Sequence, residues 1–374
     1  MSKTFIYGKS VEGENFTDRA RETARLVQNF EEGLNTIIIS PRRMGKTSLV
    51  KKAKSAVTDP STKVVFMDIY DCRSEYDFLN RFASVLIKET AGHADRLLDT
   101  LKEFLVRLTP KISFSPEPNS DFSISLGITP QNYQPEEILN LPEVIAQKRG
   151  VRLVVCIDEF QQVGEFPDSL TFQKRLRGIW QHQQNVAYCM FGSKKHMMTK
   201  IFQNKRMPFY QFGEITFLNK IPSSEWIPFI VQRFAHKNKK ISELYASKIC
   251  ETVDCYSSYV QQLAWNVLLE TEDEVTEDSM KEGINALLEQ NSGLFTSQIE
   301  GLTTYQMNFL RAVCAGYHSD FTSKALSALY DLGAKSNVSR IKNALIDKEL
   351  IDTSNNEVVI ADPVFKLWFT QNCM

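Results

Sequence analysis

The chain has 374 residues, of which 43% are hydrophobic and 24% charged, so it is long enough for two or three globular domains. Its formal net charge of −1 provides no general attraction to nucleic acid or membrane surfaces. No apolar run approaches the roughly 20 residues of a membrane-spanning helix, and the first ten residues contain no secretory signal. The seven cysteines lack metal-ligand spacing, and Cys156 and Cys189 stand in apolar runs. We therefore expect a cytoplasmic protein with reduced thiols and no membrane association.

Residues 36–47 have the pattern of a strand followed by a phosphate-binding loop. Thr36–Ile39 is a short β-branched run, which favours a buried parallel strand. Residues 40–47 have the sequence S-P-R-R-M-G-K-T and match the pattern G-x-x-x-x-G-K-[ST] at every fixed position except Ser40. From Ser48 onward, apolar and basic residues alternate at helical spacing. Strand, loop and helix therefore follow in the order that a P-loop requires, and the alternative is an accidental turn.

Individual residues of this loop have predicted tasks. Gly45 lets the backbone approach phosphate, Lys46 offers an ammonium to the β- and γ-phosphates, and Thr47 offers a hydroxyl to Mg²⁺. Ser40 costs nothing if its φ is negative, and Pro41 favours an extended Ser40, so we interpret this departure as tolerated. The candidate nucleotide-binding residues are Ser40, Pro41, Arg42, Arg43, Met44, Gly45, Lys46, Thr47 and Ser48.

Two elements are predicted between this loop and the next acidic motif. Lys63–Asp71, with the sequence KVVFMDIYD, predicts another strand. Residues 111–128 contain two runs in which apolar residues alternate with serine, separated by Pro-Glu-Pro-Asn-Ser-Asp, and this pattern predicts a β-hairpin. Its apolar face would either cover the core's own surface or contact a partner.

Leu153–Phe160, with the sequence LVVCIDEF, predicts a buried strand that ends in two carboxylates. Asp158 fits the acid that holds the Mg²⁺ water shell in P-loop enzymes. Glu159 fits the base that orients or deprotonates the attacking water, and it is the second catalytic candidate beside Lys46. The alternative is an ordinary acidic strand end.

Val186–Phe191 predicts a further strand, and Gly-Ser follows it. Ser193 is a third catalytic candidate, since a polar residue at this strand end can sense the γ-phosphate, with Lys194 and Lys195 beside it. The alternative is a turn that ends the strand.

From about Pro222 the chain predicts short helices with short loops, which suit a lid over a nucleotide. Arg233 is a possible lid sensor, and the alternative is an exposed surface charge. Further on, Thr303–Gln306 is a capping-box start for another helix. A helix ending at Gly333, one more helix, and two strands around residues 354–356 complete the order of a winged helix.

The predicted winged helix is a poor DNA binder by charge. Residues 301–374 contain seven Lys or Arg and seven Asp or Glu, so their formal charges cancel. Phosphate contacts supply most non-specific affinity for DNA, which favours a protein-docking or intramolecular role. A local basic cluster keeps DNA binding open: Lys335, Arg340 and Lys342.

Several segments together resemble the archaeal-type P-loop ATPases, a family that also occurs in bacteria and is related to the AAA+ and STAND NTPases. The segments are FTDRARETARL, SPRRMGKTSL, VVCIDEFQ, MFGSKKHMM, PFYQFGEITFLNKI and ADPVFKLWF, and they extend over nearly the whole chain. The resemblance implies an α/β P-loop core with a mostly parallel sheet over residues 1–221, an all-α lid over 222–298 and a winged-helix domain over 299–374. It also implies that Phe16–Glu22 lies near the adenine and ribose.

The sequence departs from this family's pattern at two places. Relatives often have an arginine after a Pro-Leu-Tyr-Gly-like run, where this chain has Gln211, so the charge sensor is unassigned among Arg175, Arg177 and Arg206. Family lids often have Gly-x-Pro before the third lid helix, where this chain has Cys255–Tyr259, so the lid's nucleotide contacts are open.

The sequence favours a P-loop ATPase that binds ATP and Mg²⁺, hydrolyses ATP slowly without a partner, and acts as a nucleotide-controlled switch. Its expected partners are ATP or ADP and either a protein or a second copy of the chain. Two alternatives stay open: an ATP-regulated DNA-binding protein resembling origin-recognition initiators, and a nucleotide-binding scaffold with negligible turnover. Adenine is preferred over guanine by resemblance, because the chain has no N-K-x-D-like motif.

Overall fold

The computed structural model describes the following residues: 4–90, 113–115, 123–125, 135–354 and 357–374. The chain divides into two compact units. The sheet unit comprises residues 19–42 and 46–219, and the helical unit comprises residues 1–18, 43–45 and 220–374. Residues 43–45 thus group with the helical unit although the chain on either side of them groups with the sheet unit.

Helices and strands alternate along the sheet unit. Its described helices are α1 (Ala20–Glu32), α2 (Lys46–Ala56), α3 (Glu75–Thr90), α4 (Pro135–Leu139), α5 (Leu141–Arg149), α6 (Ser169–Trp180) and α7 (Lys195–Gln203). Its described strands are β1 (Thr36–Ile39), β2 (Thr62–Asp68), β3 (Ser113–Ser115), β4 (Ser123–Ser125), β5 (Arg152–Asp158), β6 (Val186–Gly192) and β7 (Glu214–Phe217).

Five of these strands form a parallel sheet with the order β2-β5-β6-β1-β7. Every residue of β1 and β6 is buried, as is every residue of β5 after Arg152, so both faces of the central strands are covered. In the core, the rings of Trp180 and Tyr188 stack with centroids 4.0 Å apart. The predicted α/β class with a central parallel sheet is confirmed.

The predicted hairpin insertion falls mostly outside the described residues. Within the described part, β3 and β4 pair antiparallel, with Phe114 opposite Ile124. The backbone of β4 lies close to α3, an element of the same unit. This proximity favours the reading in which the insertion covers the unit's own surface.

The helical unit has helices throughout and one small hairpin. Its described helices are α8 (Ser223–Ala235), α9 (Glu243–Thr252), α10 (Ser257–Leu269), α11 (Glu277–Glu300), α12 (Thr304–Cys314), α13 (Lys324–Leu329), α14 (Lys335–Asp347) and α15 (Pro363–Cys373). Strands β8 (Ile351–Ser354) and β9 (Glu357–Ile360) pair antiparallel. One continuous apolar core joins α8–α11 to α12–α15, and Phe5 from the N-terminal segment packs into it against Phe229 and Phe234.

The C-terminal elements have the helix–helix–helix–hairpin order of a winged helix, followed by α15. The predicted capping box is present, since the Thr303 hydroxyl accepts from the Gln306 N–H and the Gln306 side chain accepts from the Thr303 N–H. The helix predicted to end at Gly333 ends at Leu329 instead. Helix α11 continues to Glu300 and so runs through the predicted domain boundary after residue 298, and the predicted domain limits stay predictions. Within the described ranges, no helix combines the length and apolarity that crossing a membrane requires.

Candidate nucleotide-binding site

The loop of residues 40–45 joins the carboxyl end of β1 to the first residue of α2. Gly45 has a φ of +84°, a conformation that strains any residue with a Cβ. Within the loop, all of which the structure describes, Arg43 is the one non-glycine residue with a positive φ. Ser40 therefore has a negative φ. The Ser40 side chain is buried, and its hydroxyl donates to the Pro41 carbonyl at 3.1 Å. The backbone at Ser40 therefore imposes no need for glycine, in line with the prediction.

Lys46 is buried in this loop with its ammonium directed at loop carbonyls. Its Nζ donates to the Ser40 carbonyl at 3.1 Å and to the Pro41 carbonyl at 2.9 Å. The ammonium therefore lies against the first two residues of the loop, and in P-loop proteins the backbone of this loop surrounds phosphate.

Thr47 and Asp158, the two predicted metal ligands, are brought together by the pairing of the sheet. The Thr47 Oγ1 donates to Asp158 Oδ2 at 2.8 Å, although 111 positions separate the two residues. Asp158 ends β5 and is 5% exposed, and in the register of the sheet it lies beside Asp68 at the end of β2.

Burial, together with the nearby carboxylates of Glu159 and Asp68, raises the pKa of Asp158 to about 6, while the Thr47 hydroxyl acts in the opposite direction. Burial also raises the pKa of Asp68. A cation beside these carboxylates would favour their charged forms.

The donor set at this point fits Mg²⁺. A hydroxyl and a carboxylate are hard oxygen ligands, and Mg²⁺ in nucleotide sites takes one or two protein ligands together with phosphate oxygens and water. Among the residues that the structure describes, no group of three or more His, Cys, Asp or Glu side chains forms a self-sufficient metal cage. Thr47 and Asp158 are the two protein ligands that such a nucleotide-bound Mg²⁺ would use.

Glu159 and Ser193 also meet, at the ends of neighbouring strands β5 and β6. The Ser193 hydroxyl donates to Glu159 Oε2 at 2.8 Å, and the Ser193 N–H approaches the same oxygen at 3.4 Å. The Gln161 amide donates to it as well. Glu159 has a φ of +55°, a strained conformation for a residue with a side chain, of the kind that collects at functional sites. The carboxylate is thus held in one orientation by groups that surround it.

Gln161 is a site residue that sequence reasoning missed. Gly192, at the end of β6, lies so close to the Gln161 amide that a Cβ there would overlap it. The sequence shows only that a glutamine stands two positions after Glu159. This spacing does not indicate a site residue until the strand order shows that β5 and β6 are neighbours.

The arginine candidates in the sheet unit are placed differently from one another. Arg175 is 3.1 Å from Glu75 and 3.6 Å from Glu136, so its charge is balanced locally. The guanidinium of Arg177 lies 4.7 Å from the ring centroid of Phe212, and burial lowers its pKa. Beside Ser193, Lys194 pairs with Glu165 at 2.6 Å.

The remaining predicted residues of the sheet unit lie on the surface or at the N-terminus of its first helix. Arg206 and Gln211 are exposed, and Gln211 has a φ of +55°. Arg19, which lies within the segment expected near adenine, is buried and bridges the Glu22 carboxylate and the Asn219 carbonyl, at 2.9 and 2.5 Å. The nearness of this segment to a base stays a prediction.

In the helical unit, Arg233 is 3% exposed and its guanidinium lies 4.9 Å from the ring centroid of Phe229. The alternative reading of Arg233 as an exposed surface charge is therefore wrong. The buried stacked position results from helix α8 turning this residue toward the unit's core.

The Cys255–Tyr259 segment, which replaces the family's Gly-x-Pro, makes several contacts inside the helical unit. The Tyr259 hydroxyl donates to Asp362 Oδ2 at 2.6 Å, and Asp362 Oδ1 caps α15 by accepting from the Val364 and Phe365 N–H groups. The guanidinium of Arg43 lies 4.2 Å from the Tyr259 ring centroid. The late DPVF segment thus has a structural role as a helix cap and tyrosine acceptor.

The chain shares its fold with solved P-loop ATPase structures. It superposes on the Walker-type ATPase of Pyrococcus abyssi with a TM-score of 0.71, at 16% identity over 98% of this chain and 100% of that one. It also superposes on the ORC2 protein of Aeropyrum pernix in ADPNP–ADP complexes, with a TM-score of 0.57 at 14% identity over 94% and 93% of the two chains. For the Aeropyrum pernix ORC1 protein in complex with DNA, the TM-score is 0.50 at 11% identity over 100% and 98%.

Residues 293–371 match the family described as "Probable winged helix domain". No curated protein sequence matches the chain. The architecture is therefore that of a P-loop ATPase fold with a C-terminal winged helix, and the resemblance to the archaeal-type ATPases is confirmed at the level of the fold. The narrower relation to STAND NTPases stays a prediction.

Proposed function

We propose that the chain binds Mg·ATP at the loop of residues 40–48 and hydrolyses it slowly. The observation that carries the proposal is the 2.8 Å hydrogen bond from Thr47 to Asp158. It brings the first turn of the helix that follows the loop to the carboxylate at the end of β5. A hydroxyl and a carboxylate so placed form the protein half of a Mg²⁺ site beside bound phosphates.

Five residues of the site would have separate roles in binding and hydrolysing Mg·ATP. Thr47 and Asp158 hold the ion and its waters, and the Lys46 ammonium stabilises charge on the transferring phosphoryl group. Bound Mg²⁺ neutralises charge on the β- and γ-phosphates. Glu159 orients the attacking water and accepts its proton, and Ser193 keeps the Glu159 carboxylate in place.

We further propose that nucleotide state acts as a switch on the lid and winged helix, with domain limits at residues 1–221, 222–298 and 299–374. Gln211 stands where the family that the sequence resembles often has an arginine, and the Arg175 charge is already balanced by glutamates. Slow turnover follows, because an arginine that stabilises transition-state charge raises the rate of phosphoryl transfer by about 10³-fold or more. A protein partner, or a second copy of the chain, would supply the missing charge.

The experiment that tests this proposal compares wild type with Lys46→Ala and Glu159→Gln, measuring Mg·ATP hydrolysis and nucleotide binding on all three. Lys52→Ala is the matched control, because Lys52 is an exposed lysine on the same helix. We expect Lys46→Ala to lose binding, Glu159→Gln to bind without turnover, and Lys52→Ala to behave as wild type.

The other outcomes separate the alternatives. Binding by wild type and by Glu159→Gln, with no turnover in either, would favour a nucleotide-dependent scaffold over an ATPase. Equal binding by Lys46→Ala and wild type would refute the proposed site. A preference for GTP in competition binding would refute the assignment of adenine.

DNA binding regulated by ATP is a second candidate function, favoured by the winged-helix match over residues 293–371. On helix α14, the basic residues Lys335 and Arg340 are exposed while Val338, Ile341 and Leu345 are buried. The test is binding to duplex DNA at two salt concentrations, because phosphate contacts make affinity fall steeply with salt. Salt-sensitive binding that changes between ATP and ADP would support this function, and absence of binding at low salt would exclude it.

A further inference from the structure

The carboxyl end of helix α9 brings two cysteines together. After the last helical residue, Thr252, the chain enters the left-handed region at Asp254, with a φ of +49°. The Cys255 N–H donates to the Cys250 carbonyl at 2.8 Å, and the Asp254 N–H donates to the Glu251 carbonyl at 3.1 Å. This pair of hydrogen bonds is the Schellman motif that ends many helices.

In a Schellman motif, the residue whose N–H donates the hydrogen bond that spans more residues packs its side chain against the residue whose carbonyl accepts that bond. In most proteins that contact is hydrophobic. Here the two positions are Cys250 and Cys255, so the motif brings their side chains together. Both are free cysteines; Cys250 is fully buried and Cys255 is partly exposed. The fold thus holds one thiol that solvent can reach against a second thiol that it shields.

The surroundings of Cys255 favour its reactive form. The Cys250 thiol and, to a smaller extent, the Lys220 ammonium lower the pKa of Cys255 to about 7. Burial and the carboxylates of Asp254 and Glu251 act in the opposite direction. Lys220 also pairs with Asp254, which keeps the ammonium near this turn.

We propose that Cys250 and Cys255 are an oxidisable thiol pair that forms a reversible intramolecular disulfide when the native protein meets hydrogen peroxide. The Cys255 thiolate attacks one peroxide oxygen, the O–O bond breaks, and the leaving hydroxide becomes water. The Cys250 sulfur then attacks the resulting sulfenic acid, the S–S bond forms, and the hydroxyl leaves as a second water with the Cys250 proton. The two thiols lose two electrons and the peroxide is reduced to water.

The chain contains its own control in Cys156 and Cys189. These residues lie opposite each other on β5 and β6, so their side chains are neighbours on the same face of the sheet. Both are fully buried, and the neighbouring Cys156 thiol together with burial raises the pKa of Cys189 well above its ordinary value. Contact without access to solvent should leave this second pair reduced, since thiolate character and exposure govern oxidation.

A disulfide at this turn would constrain the start of α10. Cys255 directly precedes Tyr256, whose hydroxyl donates to the Ala361 carbonyl at 2.9 Å. Ala361 stands just before the Asp362 cap of α15. Oxidation would therefore act on the turn between α9 and α10, which is hydrogen-bonded to the residue before the Asp362 cap of α15.

The test exposes the full native chain to graded hydrogen peroxide, then unfolds it in denaturant so that N-ethylmaleimide blocks every remaining thiol, and maps tryptic peptides without reduction. Cys250 and Cys255 fall in one tryptic peptide, residues 249–281, which contains no other cysteine. We expect this peptide to lose two hydrogens, to escape alkylation, and to regain both thiols with dithiothreitol. Half-oxidation should need about tenfold less peroxide than any cross-link between the Cys156 and Cys189 peptides.

Two results would overturn the proposal. The first is a peptide 249–281 that stays doubly alkylated at peroxide doses that oxidise the buried pair. The second is sulfinic acid on Cys255 with Cys250 still alkylated, which would show that the two thiols do not combine. A Cys255→Ser variant adds a further check, because Cys250 should then stay alkylated across the dose range, and equal oxidation of Cys250 in that variant would contradict the paired mechanism.

Discussion

Burial of the Asp158 carboxylate predicts that Asp158→Asn stabilises the fold in metal-free buffer while it weakens Mg·ATP binding. Asp158 is 5% exposed, and burial raises its pKa from 3.8 to about 6. At about 1.36 kcal/mol for each pKa unit, this difference costs the folded state about 3 kcal/mol above pH 6. Asparagine carries no charge, and a weaker contact with Thr47 offsets the gain by about 1 kcal/mol. The expected net stabilisation at neutral pH is about 2 kcal/mol.

The direction of the pH dependence of stability follows from whether the folded or the unfolded chain releases the Asp158 proton at lower pH. Between about pH 4 and pH 6 the unfolded chain has an ionised Asp158 while the folded chain keeps the proton, so wild-type stability falls as pH rises through this window. The stability of the asparagine variant does not fall in this way, because asparagine has no proton to release. The difference between variant and wild type should therefore grow from about pH 4 to pH 6 and stay constant above it.

Equilibrium urea unfolding with EDTA at about pH 4 and about pH 8 measures this difference, and Asp59→Asn is the control. Hydrogen bonds from Ser61 lower the pKa of Asp59, so that substitution should destabilise rather than stabilise. Mg·ATP binding by Asp158→Asn should weaken at least about tenfold in calorimetry. An Asp158→Asn protein that is less stable than wild type at pH 8, or equally offset at both pH values, would refute the burial argument.

Three further predictions concern single hydrogen bonds and backbone conformations. Ser193→Ala should lower turnover about tenfold while leaving the Kd for Mg·ATP unchanged, because the hydroxyl positions Glu159 rather than the nucleotide; a matching rise in Kd in binding assays would contradict this role. Tyr259→Phe should cost about 1.5–3 kcal/mol in urea unfolding, since it removes a hydrogen bond to the Asp362 carboxylate; an unchanged midpoint would show that the contact contributes nothing. Ser40→Gly should change the Kd for nucleotide less than about threefold, because the φ of Ser40 is negative, and a much tighter complex would mean that Ser40 weakens the site. Gly45→Ala, by contrast, should lower the free energy of unfolding by about 1–2 kcal/mol, because the φ at this position is positive.

Local sequence was sufficient for the parts of the site that lie within a few residues of one another. The β-branched run before Ser40, the glycine at position 45 and the helical spacing after Thr47 all act over one strand, one turn and one helix. The apolar run that ends in Asp158 and Glu159 is local as well. Backbone propensity and hydrophobic periodicity operate at this range, and the elements they predicted are present.

Tertiary structure alone decided how those pieces meet. Strand β6 lies between β5 and β1, although β5 and β6 follow β1 by more than 100 residues, and this order places Ser193 and Gln161 around Glu159. Arg233 is likewise buried, at 3% exposed, although the sequence around it does not distinguish a buried from an exposed position.

A propensity pattern describes which face of an element is apolar but not which other element will cover it. The pairing of strands and the burial of a charged side chain depend on contacts between residues that are far apart in the chain. The chemistry of the residues could thus be read from the sequence, whereas their arrangement around one carboxylate depends on the strand order of the folded sheet.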